Sequence, residues 1–452
     1  MLLKNKKFWM GLVVVIGLVF ATLGVSGKFT TTSADDTRIK IVYWHSMAGA
    51  PQIALNKLVS QYNASQTKYK IVAEYQGAYP ESLPKYLNVA KSNVAPTIFQ
   101  AQEIATSALI KSGATEPVQT FVDADSNYDV SDLEPGLVKY YTVNNKLRSM
   151  PFNSSVPVLY YNKTLVKKLG LKALPVDPSY SDITNLAKAI TQKTNNKTKG
   201  MTLEAYGWLF EELTANQNAQ LANHQNGREP GKRATKLNMT SPAAIKLMQW
   251  AKVNIDNKSF ANYGAGSVAE TNQLAGFLSN KVGIFMQSSA SIGDIQAGAK
   301  FDVGVTYLPH PDDTPRNGLP IGGASLWVTK DKSTEQKNGA WDFLKFLASP
   351  KSQAQWRLET GYLATNKKAK EDPKVLAAVK KNPNLAVPTQ QLETSKQNVV
   401  TQGLLVPILP IERANVEAAM QAIYAGANIT KSLKAAEKAT NESLAAYNAA
   451  NP

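Results

Sequence analysis

The sequence predicts an α/β protein built as two lobes with a ligand cleft between them. Three observations lead there. At 452 residues the chain exceeds what one small core organises, and two lobes are the natural division. Its 43% hydrophobic and 19% charged residues mark a globular protein rather than a disordered one. From residue 38 onward, short apolar strands alternate with amphipathic helical patterns, which predicts mostly parallel sheets flanked by helices. No repeat with a period of roughly 20–50 residues is visible, which argues against a solenoid.

Residues 38–44 read as a strand, followed by a helix with Leu55, Leu58, Val59 and Tyr62 on one face, the i, i+3, i+4, i+7 spacing of an amphipathic helix. Residues 69–75 are a second strand, and Leu83, Tyr86, Leu87 and Ala90 repeat the helical spacing. A third strand over 96–100 leads into a helix after Glu103. The stretch from Met150 to Lys163 opens with Pro151 and the hydroxyls of Ser154 and Ser155, then runs unbroken into an apolar strand pattern. That suits a strand crossing between lobes at 154–158. Residues 216–238, rich in Asn, Gln, Gly and Lys, read as a surface excursion.

A strand over 282–287 leads to Ser288 and Ser289, and residues 301–308 are expected to return the chain to the first lobe. There Ala340, Phe343, Leu344 and Leu347 mark a helix, and Ser349-Pro350 caps the next, with proline at its first turn. Val416, Ala419, Met420 and Ile423 mark a late helix packed on the second lobe. The expected division is 38–153 with 301–350 in lobe one, and 154–300 with 351–452 in lobe two.

Lys4, Lys6 and Lys7 precede twenty uncharged residues, 8–27. At about 1.5 Å per residue they span a bilayer core of about 30 Å, with the positive flank on the cytoplasmic side. The first 27 residues are therefore a membrane anchor or a cleaved signal peptide; the apolar stretch is longer than that of a typical signal, which favours the anchor. Residues 28–37 are a polar tether, and the body is exported either way. The chain has no cysteine, so it has no disulfide, thiolate metal site, cysteine nucleophile or lipid-bearing cysteine.

The formal charge of +16 fits a solvated surface facing an anionic wall or membrane, or attraction of an anionic ligand. Its lysines are scattered without an arginine–aromatic platform, so nucleic acid is not an expected partner. Enzyme readings fail on the residues. His45, His224 and His310 are too far apart for a zinc pair on one helix. There is no Gly-x-Ser-x-Gly elbow and no phosphate-binding loop. No cofactor or metal is expected.

In open α/β sheets, ligands bind beyond the carboxyl ends of strands. Tyr79 follows the second strand, Glu103 the third, Ser155 the crossing and Ser288 the strand at 282–287. Gly322-Gly323-Ala324 precedes an apolar run, where glycine lets backbone approach a ligand closely. Taken singly, each has a plainer role: a packing tyrosine, a helix cap, a turn. Arg413 could simply pair with Glu412 or Glu417 on a solvated helix face.

Five motifs tie these positions together. They are Tyr43-Trp44-His45-Ser46-Met47, the crossing segment, Ile321-Gly322-Gly323-Ala324-Ser325-Leu326-Trp327-Val328, Thr360-Gly361-Tyr362-Leu363 and Pro410-Ile411-Glu412-Arg413. In order and spacing the chain resembles the extracellular solute-binding proteins of ABC importers over about residues 38–450, and most closely the sn-glycerol-3-phosphate-binding (UgpB) family. The resemblance implies a type II periplasmic-binding-protein-like fold and a monomeric binding protein partnered by membrane permease subunits.

It also implies ligand contacts at Tyr79, Glu103, Ser155, Ser288, Gly323, Tyr362 and Arg413, with Trp208 on the cleft wall. Glycerol 3-phosphate or a glycerophosphodiester such as glycerophosphocholine is the implied ligand, an oligosaccharide the alternative. Chemistry assigns the phosphate to Arg413, whose guanidinium is a bidentate fork, and the glycerol hydroxyls to Glu103 as acceptor. One departure stands out. Where that family has a tryptophan-bearing aromatic cluster, this chain has Tyr180 and Ala205-Tyr206-Gly207-Trp208, which alters the pocket wall beside the phosphate.

Overall fold

The computed structural model describes residues 37–451. The expected anchor or signal at 1–27, and the tether up to residue 36, lie outside the described residues. Among the described residues no helix is long and apolar enough to cross a membrane.

The first five short strands are β1 (Ile39–His45), β2 (Tyr69–Tyr75), β3 (Ile98–Gln102), β4 (Thr115–Glu116) and β5 (Thr142–Val143). β6 (Lys146–Leu147) forms a small hairpin with β5. The chain then enters β7 (Met150–Ser155) and β8 (Pro157–Asn162), and continues through β9 (Lys199–Met201), β10 (Val282–Ser288), β11 (Val303–Thr306) and β12 (Gly322–Thr329). The first sheet runs β2-β1-β3-β12-β4, with β7 also paired to β12. The second runs β11-β8-β10-β9.

The helices fall where periodicity places them. Leu55, Leu58, Val59 and Tyr62 form the buried face of the helix Gly49–Ser65. Ser349 caps the helix Pro350–Thr360 by accepting from the Ser352 N–H, with Pro350 in the first turn. Val416, Ala419, Met420 and Ile423 are buried on the helix Leu409–Tyr424, which packs on Gly207–Ala215 and Ile429–Ala450.

The crossing is direct. β7 ends in the first sheet at Ser155, β8 begins the second at Pro157, and Val156 between them is fully buried. Val156 is tied on both sides: its N–H donates to Ser289 Oγ at 3.3 Å, and its carbonyl accepts from the Ser289 N–H at 2.9 Å.

Three details differ from the sequence expectation. The sheets are mixed rather than mostly parallel: β1 is parallel to β2 and β3, but β12 is antiparallel to β3, β4 and β7, and β8 is antiparallel to β10 and β11. Parallel neighbours need a crossover connection; segments that pass straight between sheets lack one and run against their neighbours. The chain also stays in the second sheet past residue 301, because β11 pairs with β8 and covers what would otherwise be its open edge; it re-enters the first sheet at Gly322. Finally, the helix Pro350–Thr360 packs on Gly49–Ser65, with Lys57 and Glu359 paired across them. Within the 216–238 excursion, buried Asn216 donates to the carbonyls of Leu308 and Pro309, and Asn226 Oδ1 accepts from the N–H groups of Leu221 and Ala222.

Candidate functional site

The crossing brings β7 and β12 side by side, with Ser155 opposite Gly322 and Ser154 opposite Gly323. Gly323 has φ +97°, and a Cβ there would sit 2.1 Å from the Asn153 carbonyl oxygen. The glycine is required by the approach of β7 itself. Leu363 N–H donates to Ser154 O at 2.9 Å, which draws the Thr360–Leu363 motif onto the same strand. Ser288, at the end of β10, lies opposite Pro157 in the register of β8. Its hydroxyl accepts from the Ala290 N–H, which leaves the O–H free to donate.

A hydrogen-bond chain positions the aromatic donors. Ser46 N–H donates to Gln100 Oε1 at 2.8 Å, Gln100 Nε2 to Asn153 Oδ1 at 2.7 Å, and Asn153 Nδ2 to the Tyr79 hydroxyl at 2.9 Å. Tyr362 stacks on Trp356 with ring centroids 5.8 Å apart. Burial raises the Tyr362 phenol, while hydrogen bonding from Asn153 and Tyr79 works against that. Tyr79 is raised well above its ordinary value by burial and then by Tyr362. Both phenols therefore stay protonated and able to donate. A cavity of about 350 Å³ reaches Tyr362, Gly361, Ser291 and Pro51.

On the other side stands Arg413, only 6% exposed. It pairs with neither Glu412 nor Glu417. Nε donates to Glu211 Oε1 at 2.6 Å, and Nη2 donates to Glu211 Oε2 and to Glu103 Oε1, each at 3.1 Å. Gly207 makes room: a Cβ there would lie 2.6 Å from the Arg413 Cα. Trp208, the next residue, packs against Gly322, where an added Cβ would meet its ring at 2.6 Å. One guanidinium thus links the helix Leu409–Tyr424, the helix Gly207–Ala215 and the end of β3.

The surroundings of Arg413 are acidic. Glu212 and Glu412 are buried with carboxyl oxygens lacking partners, and both are raised well above the carboxylate range by burial and by the Glu211 charge. Glu103 is pushed up to about 7 by burial, against the pull of Arg413. Burial favours the protonated form of Glu212 and Glu412, which lowers the repulsion among the four clustered carboxyls Glu103, Glu211, Glu212 and Glu412.

The profile of the bacterial extracellular solute-binding proteins matches residues 57–389. The chain belongs to that family. The sn-glycerol-3-phosphate-binding periplasmic protein UgpB of Yersinia enterocolitica is 33% identical over 394 residues, covering 86% of this chain and 88% of that protein. UgpB of Escherichia coli O1:K1 is 31% identical over 393 residues, covering 85% and 88%. Two solved structures show the same fold. UgpB from Mycobacterium tuberculosis in complex with glycerophosphocholine has a TM-score of 0.75 at 20% identity, over 90% of this chain and 99% of that one. The sugar-binding protein MalE from Xanthomonas citri has a TM-score of 0.76 at 16% identity, over 90% and 98%. This solute-binding protein is thus a UgpB-like, extracytoplasmic subunit of an ABC importer, and its relatives are transport proteins rather than enzymes.

All eight sequence-predicted positions gather around the crossing and the Arg413 cluster. Sequence reasoning missed Glu211 and Asn153. Signals for both existed: Glu211 is three residues beyond Trp208 on one helix, hence on its face, and Asn153 is two before Ser155 on one strand. His45 is buried at the end of β1, and burial pushes its imidazole down to about 4.

Proposed function

We propose that this solute-binding protein captures a glycerol phosphate ester, glycerol 3-phosphate or a glycerophosphodiester such as glycerophosphocholine, and delivers it to its permease. What supports this reading is one juxtaposition: uncharged donors at the crossing beside an arginine already held by two carboxylates. Tyr79, Asn153, Ser155, Ser288 and Tyr362, with Gly323 next to them, form the phosphate end. Neutral donors hold an anion without any counter-charge. The Arg413–Glu103 pair forms the glycerol end, with the arginine donating to hydroxyl oxygens and the glutamate accepting from them.

The residues expected from the sequence are kept and one role changes, that of Arg413. Arg413 has its charge offset by Glu103 and Glu211, so it attracts a phosphate weakly, and the two carboxylates repel one. Trp208 supplies an apolar wall for the carbon chain. The two sheets, with the helices on each, act as lobes that close over the ligand about the crossing.

A second reading has its own support. Buried carboxylates beside Trp208 and Tyr206, whose rings lie 5.9 Å apart, are also the furniture of a sugar cleft. Calorimetric titration with glycerol 3-phosphate, glycerophosphocholine and maltose separates the two. The glycerol esters are expected to bind and maltose not; maltose binding alone would replace this reading with the second.

A further inference from the structure

Away from Arg413, a cavity of about 470 Å³ lies among the helix Thr106–Ser112, the loop at 227–234 and the C-terminal helix Ile429–Ala450. Its charged lining is one-sided: Lys111, Arg228, Lys232 and Arg233 against Glu229. That single carboxylate is shared by Lys232 at 2.6 Å and His224 at 3.0 Å. Lys111 sits 4.7 Å over the ring of Tyr447, and Arg233 donates to the Asn451 carbonyl.

Arg228 is the anchor of this arrangement. Its Nε donates to Gly403 O at 2.6 Å and its Nη1 to Tyr140 O at 3.0 Å, with the guanidinium 4.8 Å over the Tyr140 ring. No described carboxylate pairs with it, and Nη2 is buried without a partner. Burial pushes its pKa down to about 10, as befits a cation lacking a counter-ion. Leaving a charge desolvated and unpaired is costly, and an anion in the adjoining cavity offsets that cost.

We propose that this cavity is a second binding site, for small phosphate-bearing anions. Lys111, Lys232 and Arg233 are exposed and supply donors at the rim; Arg228 supplies a fixed positive field from the wall; Ile110 and Leu405 give an apolar surface for an organic group. Tyr140 fixes Arg228 from beneath, through its ring and its carbonyl. The two sites differ in sign. One arginine among carboxyls lines the cleft, and four basic groups line this cavity, so anions concentrate here first.

The test titrates the protein with inorganic phosphate, and separately with glycerol 3-phosphate, in low salt. Two phosphate-binding events are expected. The exposed-residue variant Lys111→Gln/Lys232→Gln/Arg233→Gln should weaken one of them at least about tenfold, as charge-assisted bonds are lost, and Arg228→Gln should weaken the same one. The cleft variant Ser288→Ala/Tyr362→Phe should weaken the other. Phosphate binding that the rim variant leaves unchanged, or no phosphate binding at all, overturns this site. Glycerol 3-phosphate binding that survives in that case leaves the cleft reading standing. Glycerol 3-phosphate binding that the rim variant abolishes and the cleft variant leaves unchanged sinks the cleft reading alone.

Discussion

Arg413 and Glu103 touch: Nη2 of the arginine donates to Oε1 of the glutamate at 3.1 Å, across 310 residues of sequence. Residues that charge type alone places at opposite ends of a ligand therefore act as one unit. Arg413→Lys keeps the charge but not the fork that reaches Glu211 and Glu103 together. With Glu103→Gln, it should weaken glycerol-bearing ligands by about 1.5–3 kcal/mol. Inorganic phosphate binding in the cleft should be nearly unchanged in both. Calorimetry on the two variants checks this, and selective loss of phosphate in Arg413→Lys would return the phosphate to the arginine.

Gly323→Ala should cost both stability and binding. Its φ of +97° suits glycine, and the new methyl would lie 2.1 Å from the Asn153 carbonyl oxygen. Strain of this kind costs roughly 1–3 kcal/mol, and relief by moving β7 would displace Ser155. Thermal unfolding and ligand titration should show the two losses together.

Tyr362→Phe should separate packing from donation. The stack on Trp356, with planes 14° apart, survives, while the hydroxyl goes. Phosphate-bearing ligands should weaken by about 0.5–1.5 kcal/mol, with the melting temperature nearly unchanged. Equal binding by the variant would remove Tyr362 from the phosphate end.

Stability should fall as pH rises from about 4.5 to about 8. Glu204 is buried, accepts from Gln273 Nε2 at 2.6 Å, and is pushed from 4.5 up to about 8 by burial and then by Glu270 and Glu417. The folded state then holds a proton that the unfolded chain releases above its ordinary value. The contribution is full below 4.5 and lost by about 8. Glu103, raised to about 7, adds a decline over a narrower window. Melting curves from about pH 5 to about pH 8 should show this fall, and Glu204→Gln should flatten it. An equally steep fall in the variant would place the titrating groups elsewhere.

Closure about the crossing predicts a smaller radius of gyration with ligand bound. Small-angle scattering with and without saturating glycerol 3-phosphate measures it, and identical curves would count against a hinge at Val156.

The sequence by itself determined the element types and the crossing. Helical and strand periodicities are local, so Leu55, Leu58, Val59 and Tyr62 announce a buried helix face wherever that helix packs. Ser349-Pro350 announces a helix start for the same reason, and the candidate site positions were legible because each motif is a short local string. Only the tertiary structure decided the direction of the strands, the sheet that β11 joins and the partners of Arg413. Those depend on which segments meet across hundreds of residues, and charge type alone cannot rank distant partners. Neighbours Glu412 and Glu417 were the evident ones for Arg413. Packing of the helix Gly207–Ala215 on Leu409–Tyr424, through the bare face of Gly207, gave the guanidinium to Glu211 and Glu103 instead.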